Sequence, residues 1–238
     1  MRASIVRALG SEFRSEMNST DLNPVDSQGQ QWHPEASTLI PDREELGRYL
    51  EDTIVIDWQT PAVLECARAL TQGQGADDDE LNRIDGFFCF VRDEIQDALE
   101  SEAEEVACSA SQVLKAGSGL VFARCHLLVA LLRSCGFPAG LGYQCLSREK
   151  GGTRLHGFVG VWLARRAIWV NLDPCGRVAS PLSGPPTVDS GLADLAEGDA
   201  EVTYPTVWAR PRREVVDLLD QVPRLDVIRS RLPAALQE

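Results

Sequence analysis

Histidine is scarce in this chain. Only three occur in 238 residues, at 33, 126 and 156, and none stands at ligand spacing from another or from a cysteine pair. A zinc site needs several such ligands at short intervals, so no metal is expected, and no cofactor motif stands out either. The seven cysteines (Cys66, Cys89, Cys108, Cys125, Cys135, Cys145, Cys175) are odd in number and contain no C-x-x-C pair. Reduced thiols packing as small apolar groups are the expectation. No apolar run is long enough to span a bilayer, and the N-terminus lacks the apolar block of a signal peptide. Basic residues are also short, 23 against 36 acidic ones, for a net charge of −13. Nucleic acid and anionic membrane both need a basic footprint, so neither is expected as a partner. The composition points to an acidic, cytoplasmic protein.

What is present is enough apolar material, 44% of the chain, to build one substantial core. Residues 1–38 are rich in Ser, Gln, Asn and Asp with little periodicity and are expected to form a mobile arm. Residues 39–238 are expected to form one domain. Its helical part runs over 41–136, its sheet part over 139–207 and its C-terminal helices over 212–236.

The stretch Ser109–Gly140 organises the rest. Ser109 with Gln112 forms a capping-box pattern, and Gly117 stops the short helix that follows. A longer helix then starts near Leu120, with Leu120, Leu127, Leu128, Leu131 and Leu132 at helical spacing, and Cys135-Gly136 and Pro138 end it. A helix that starts just after a glycine turn offers unpaired N–H groups and positive potential to a developing anion. Upstream, Pro41–Leu50 reads as a short helix, Thr60-Pro61 opens another, and the acidic run Asp77–Glu80 opens a third carrying Ile84, Phe87, Phe88, Val91 and Ile95.

After Pro138 the period changes to two. Ala139–Leu146, Arg154–Leu163 and Ile168–Asp173 read as strands, and 174–200 as a long loop. Leu155, Val159, Val161 and Leu163 must share a face with Ile168, Val170 and Leu172, so paired residue numbers in this antiparallel hairpin have an odd sum. A two-residue loop at Ala164-Arg165 would set 163 opposite 166 and His156 directly opposite Asp173. That places an imidazole beside a carboxylate that can fix its tautomer.

The order of these pieces resembles the bacterial transglutaminase-like family of papain-type cysteine enzymes. The resemblance rests on A-S-x-V-L-x-x-G-x-G, the helix with H-L-L-x-A-L-L-R, G-F-P-A-G, Tyr143-Gln144, Val91–Ile95, Leu155-His156-Gly157 and Leu172-Asp173. It implies an α+β, papain-like fold with a central helix packed on an antiparallel sheet. It also implies a nucleophilic cysteine two residues after the second glycine of G-x-G, with histidine and aspartate on adjacent strands. Those positions here are Val121, His156 and Asp173. Valine cannot attack a carbonyl, so the acyl-enzyme route is closed at that position.

Three readings follow. In the first, His156 held by Asp173 acts as a general base on an acylated or carbonyl substrate, a small molecule or peptide, with Gly119, Leu120 and Val121 at the helix start stabilising negative charge. Gln144 is a candidate donor to a substrate carbonyl, with an exposed strand glutamine as an alternative of at least equal weight, and Trp162 and Trp169 are candidate pocket walls, with core packing the stronger alternative. In the second, the cleft is catalytically silent and binds a peptide, amide or partner protein. In the third, an acyl transferase or amidohydrolase uses a displaced nucleophile, Cys125 or Cys175. His126, inside the helix, is expected to be a core histidine.

Overall fold

The computed structural model describes residues 39–72, 80–101, 106–147, 151–175, 200–221 and 225–236. The expected arm, the acidic run at 77–79 and most of the long loop after Pro174 lie outside the described residues.

The central helix α4 (Val121–Ser134) is surrounded on all sides. Phe122 through Arg133 are all buried, which is why its sequence shows little polar face. It is preceded by α1 (Pro61–Thr71), α2 (Glu80–Glu94) and α3 (Ala110–Ala116), which pack against it. The capping box forms at α3: Gln112 N–H donates to Ser109 Oγ at 3.3 Å, and Ser109 N–H to Gln112 Oε1 at 3.0 Å. Gly117 closes α3 in the left-handed region at φ 69°, a conformation that costs glycine little. Asp57 fastens this corner, accepting from both the backbone N–H and the hydroxyl of Ser111. Thr60 precedes α1 as expected but caps nothing; its hydroxyl donates instead to Asp57 O.

On the other side of α4 lies an antiparallel sheet. It is built from β4 (Ala139–Ser147), β5 (Thr153–Leu163), β6 (Ile168–Leu172) and β7 (Ala200–Thr203), in the order β6-β5-β4-β7. Leu155, Val159, Val161, Leu163, Val170 and Leu172 join the core with α4, as the alternation required. Two short parallel pairs complete the framework, β1 (Ile40–Pro41) with β8 (Thr206–Val207), and β2 (Gln96–Asp97) with β3 (Ser118–Gly119). The expected α+β architecture, a central helix packed on an antiparallel sheet, is therefore present. Helices α5 (Arg213–Gln221) and α6 (Leu225–Arg231) follow. Among the described residues no helix is long and apolar enough to cross a membrane.

Several boundaries differ from the sequence reading. Pro41–Leu50 is strand β1 followed by a 3₁₀ turn at Leu46–Leu50, and the last helix stops at Arg231 before Pro233. The larger difference is the β5–β6 hairpin. Its loop has four residues, 164–167, with Leu163 O accepting from Arg166 N–H and Ala167 left-handed at φ 54°. Leu163 therefore faces Ile168 and Val159 faces Leu172, a register that, continued one residue past the end of β6, sets Phe158 and not His156 opposite Asp173. The sum stays odd, so the faces are unchanged; only the offset moves by two.

His126 is fully buried, and its Nδ1–H donates to Cys108 O at 2.8 Å, while Nε2 has no partner among the described residues. Burial pulls its pKa from about 6.5 down to about 4. The unfolded chain then binds the proton more readily than the folded one between these values. Stability is expected to be fully present above pH 6.5 and to fall by about 3 kcal/mol as pH drops to 4. Urea midpoints measured across this range should flatten in His126→Gln relative to the natural protein; parallel profiles would mean that His126 is not the titrating group.

Candidate functional site

His156 and Asp173 meet as diagonal cross-strand neighbours. His156 Nε2 lies 2.7 Å from Asp173 Oδ2, with side chains only 9% and 3% exposed. The carboxylate accepts from Nε2–H, which leaves Nδ1 as the basic nitrogen of the neutral ring. The second carboxylate oxygen is also used: Cys175 N–H donates to Asp173 Oδ1 at 2.8 Å. Both oxygens are thus held, and the ring inherits that orientation.

The start of α4 packs against this corner. Gly157 follows His156, and a Cβ there would lie 3.1 Å from Phe122 Cδ1 and 3.6 Å from Cys125 Sγ, so a bare backbone lets the first turns of the helix close on β5. Strand alternation starts His156 from the other face of β5, with its direct partner Gln144, but its ring reaches past the end of β6 to Asp173, which lies near enough to α4 to help raise the Cys125 thiol. Val121 is the first residue of α4 and only partly buried; four residues before Cys125, it shares that side of the helix. Leu120 occupies the cap position and provides no capping side chain. The first N–H groups of α4 consequently lack the side-chain acceptor that Ser, Thr, Asn or Asp would supply. Gly119, in β3, packs against Val113 and Ala123.

Arg124 was not singled out from the sequence, yet it ties the site together. Buried in the second turn of α4, its Nη2 donates to Val91 O, Arg92 O and Pro174 O at 3.1, 3.0 and 2.8 Å. It thereby anchors the carbonyl just after Asp173. The available signal was a charged residue inside an otherwise apolar helix, where a buried cation needs several acceptors.

The displaced-nucleophile candidates lie in this same corner. Burial pushes the Cys125 thiol far above its ordinary pKa, with the neighbouring Cys175 and Asp173 adding to it. Cys175 is raised mainly by burial too, even though Arg124 opposes the shift. A catalytic cysteine needs the opposite, an environment that favours thiolate.

Of the two expectations for Gln144, the exposed strand glutamine is excluded, because the residue is fully buried. Trp162 and Trp169 do not wall this site. Trp162 is six residues along β5 from His156, roughly 20 Å. The two rings pack 5.7 Å apart and join Tyr49, Val207 and Ala209 in a separate apolar cluster, with Tyr49 4.7 Å from Trp169. They shared a face with His156 and Asp173 but not a position along the strands.

Residues 66–174 match the model of the transglutaminase-like superfamily. This part of the chain is a transglutaminase-like domain. The matched span runs from α1 through Pro174, and so takes in Val121, His156 and Asp173. The chain is also similar to a solved structure described as a "Putative Cysteine Protease from Cytophaga hutchinsonii", at 14% identity and a TM-score of 0.44. That similarity covers 63% of this chain and 48% of the other, so this chain spans about half the length of that protein. No curated protein matches it.

Proposed function

We propose that this transglutaminase-like protein acts on an acylated or carbonyl substrate, a thioester or amide, through general-base chemistry at His156 without a cysteine nucleophile. The observation that carries the reading is the 2.7 Å bond between His156 Nε2 and Asp173 Oδ2, whose carboxylate is itself held by Cys175 N–H. Asp173 orients the ring so that a water or substrate hydroxyl deprotonated by Nδ1 would attack the carbonyl; as the intermediate collapses, the C–S or C–N bond breaks and the proton held on Nδ1 passes to the departing thiol or amine. The uncapped start of α4 supplies N–H groups and the helix dipole for the oxyanion that then forms. A valine at the first helical position fits a mechanism with no acyl-enzyme and does not support covalent catalysis.

The test is turnover of a panel of acyl thioesters and amides by the natural protein, His156→Ala and Asp173→Asn. His156→Ala is expected to lower turnover about 10²-fold or more in a chain that still folds, with a lower unfolding midpoint because the buried Asp173 carboxylate loses its partner, and Asp173→Asn to lower turnover by upsetting the tautomer. Equal turnover by all three would remove the general-base reading. Stable binding of a panel member without turnover would favour the silent binding cleft, which keeps the same pair for recognition alone.

A further inference from the structure

Gln144 is fully buried, and among the described residues neither its Oε1 nor its Nε2 has a hydrogen-bond partner. An apolar side chain of similar shape would avoid that cost, so packing alone does not account for glutamine here. Its place in the sheet does. The register sets Gln144 directly opposite His156 on β5 and opposite Thr203 on β7, so the carboxamide and the imidazole start from the same face. Two residues back along β4, the Phe158 ring covers Gly142; a Cβ there would fall 2.1 Å from Phe158 Cε2. Two residues forward, Leu146 is buried. The carboxamide is thus a polar spot bounded along its strand by apolar groups and placed beside the candidate base.

We propose that Gln144 is a specificity-determining residue for the acyl substrate, a proposal that rests on the general-base reading of the site. Its Nε2 donates to the substrate carbonyl and its Oε1 accepts from an N–H on the same edge. A primary carboxamide presents that edge. A thioester offers only the acceptor and leaves Oε1 unpaired, and a trans peptide bond carries its C=O and N–H on opposite sides. A site built around such a pair rejects the analogue that lacks one member.

The experiment uses the full chain and two probes, N-acetylglycinamide and the matched S-ethyl thioester, with affinity read from the ligand-induced rise in unfolding midpoint. The natural protein should bind the carboxamide at least about tenfold more tightly than the thioester, and Gln144→Met should erase that preference. Without ligand, Gln144→Met should unfold at the same temperature as the natural protein or higher, because two unpaired buried groups have been removed. A lower midpoint for ligand-free Gln144→Met would make the carboxamide a structural group and overturn the proposal. An unchanged preference, or no binding of the carboxamide by the natural protein, would overturn it too. Since binding needs no turnover, the two readings fail separately. Gln144-dependent preference with no His156-dependent turnover defeats only the general base, and His156-dependent turnover indifferent to Gln144→Met defeats only this assignment.

Discussion

Val121→Cys should convert the start of α4 into the fastest-reacting thiol in the protein. In the natural chain, iodoacetamide is expected to find only slow thiols near the site, because burial raises the pKa of both Cys125 and Cys175. A cysteine at position 121 would stand at the N-terminus of a helix of 14 residues, in a partly exposed place and with no competing cap. The dipole and the unpaired N–H groups favour thiolate there, and an imidazole held by Asp173 can take its proton. Labelling of the introduced thiol is expected to exceed that of any native cysteine by about 10²-fold and to slow sharply when His156→Ala is added. Mass spectrometry of the labelled peptide reads both results. Hydrolysis of acyl thioesters should appear or rise in the same variant, through an acyl-enzyme on the introduced thiol. If the variant folds yet labels slowly and hydrolyses nothing, His156 does not serve position 121, and its assignment with Asp173 as functional residues fails.

The second large effect is on stability. Arg133 is 2% exposed near the end of α4, and its guanidinium donates to three backbone carbonyls. Nε and Nη2 reach Ala139 O at 3.0 and 2.8 Å, Nη2 also reaches Ala209 O at 2.6 Å, and Nη1 reaches Glu51 O at 2.7 Å. Burial draws its pKa down to about 10, still charged at neutral pH. One side chain thus joins the C-terminus of the central helix, the first residue of β4, the end of the 3₁₀ turn and the segment before α5. Arg133→Ala would leave buried carbonyls unpaired and open a void, at an expected cost of about 3–5 kcal/mol. In a chain of this size that is a fall of roughly 10 °C in unfolding temperature. Arg133→Met, which refills much of the volume, should recover only part of the loss. A change under about 0.5 kcal/mol in Arg133→Ala would show that the carbonyls find other partners.

The bond between His156 and Asp173 shows how far sequence patterns reach. That the two residues share a face follows from alternation: once Leu155, Val159, Val161 and Leu163 must lie with Ile168, Val170 and Leu172, every pairing has an odd sum. The structure keeps that parity, with Val159 opposite Leu172. The offset within the parity is set by the turn, and a four-residue loop with left-handed Ala167 replaced the two-residue one. The bond survives because a diagonal neighbour lies within reach of an imidazole and a carboxylate. Trp162 and Trp169 mark the limit of the same argument, since sharing a face says nothing about distance along it.

The sequence alone was enough for the helix that starts at Val121, the capping box at Ser109, the alternating strands and the absence of a cysteine at the helix start. Each depends on neighbours a few residues apart in the chain, where periodicity and capping chemistry act directly. Only the tertiary structure decided that Gln144 is buried and, among the described residues, unpaired beside His156, that Arg124 and Arg133 gather carbonyls from distant segments, and that the surroundings of Cys125 and Cys175 raise both thiols instead of favouring thiolate. Those properties depend on what packs around a side chain from elsewhere in the fold. Burial and hydrogen-bond satisfaction are sums over such neighbours, and no local spacing encodes them.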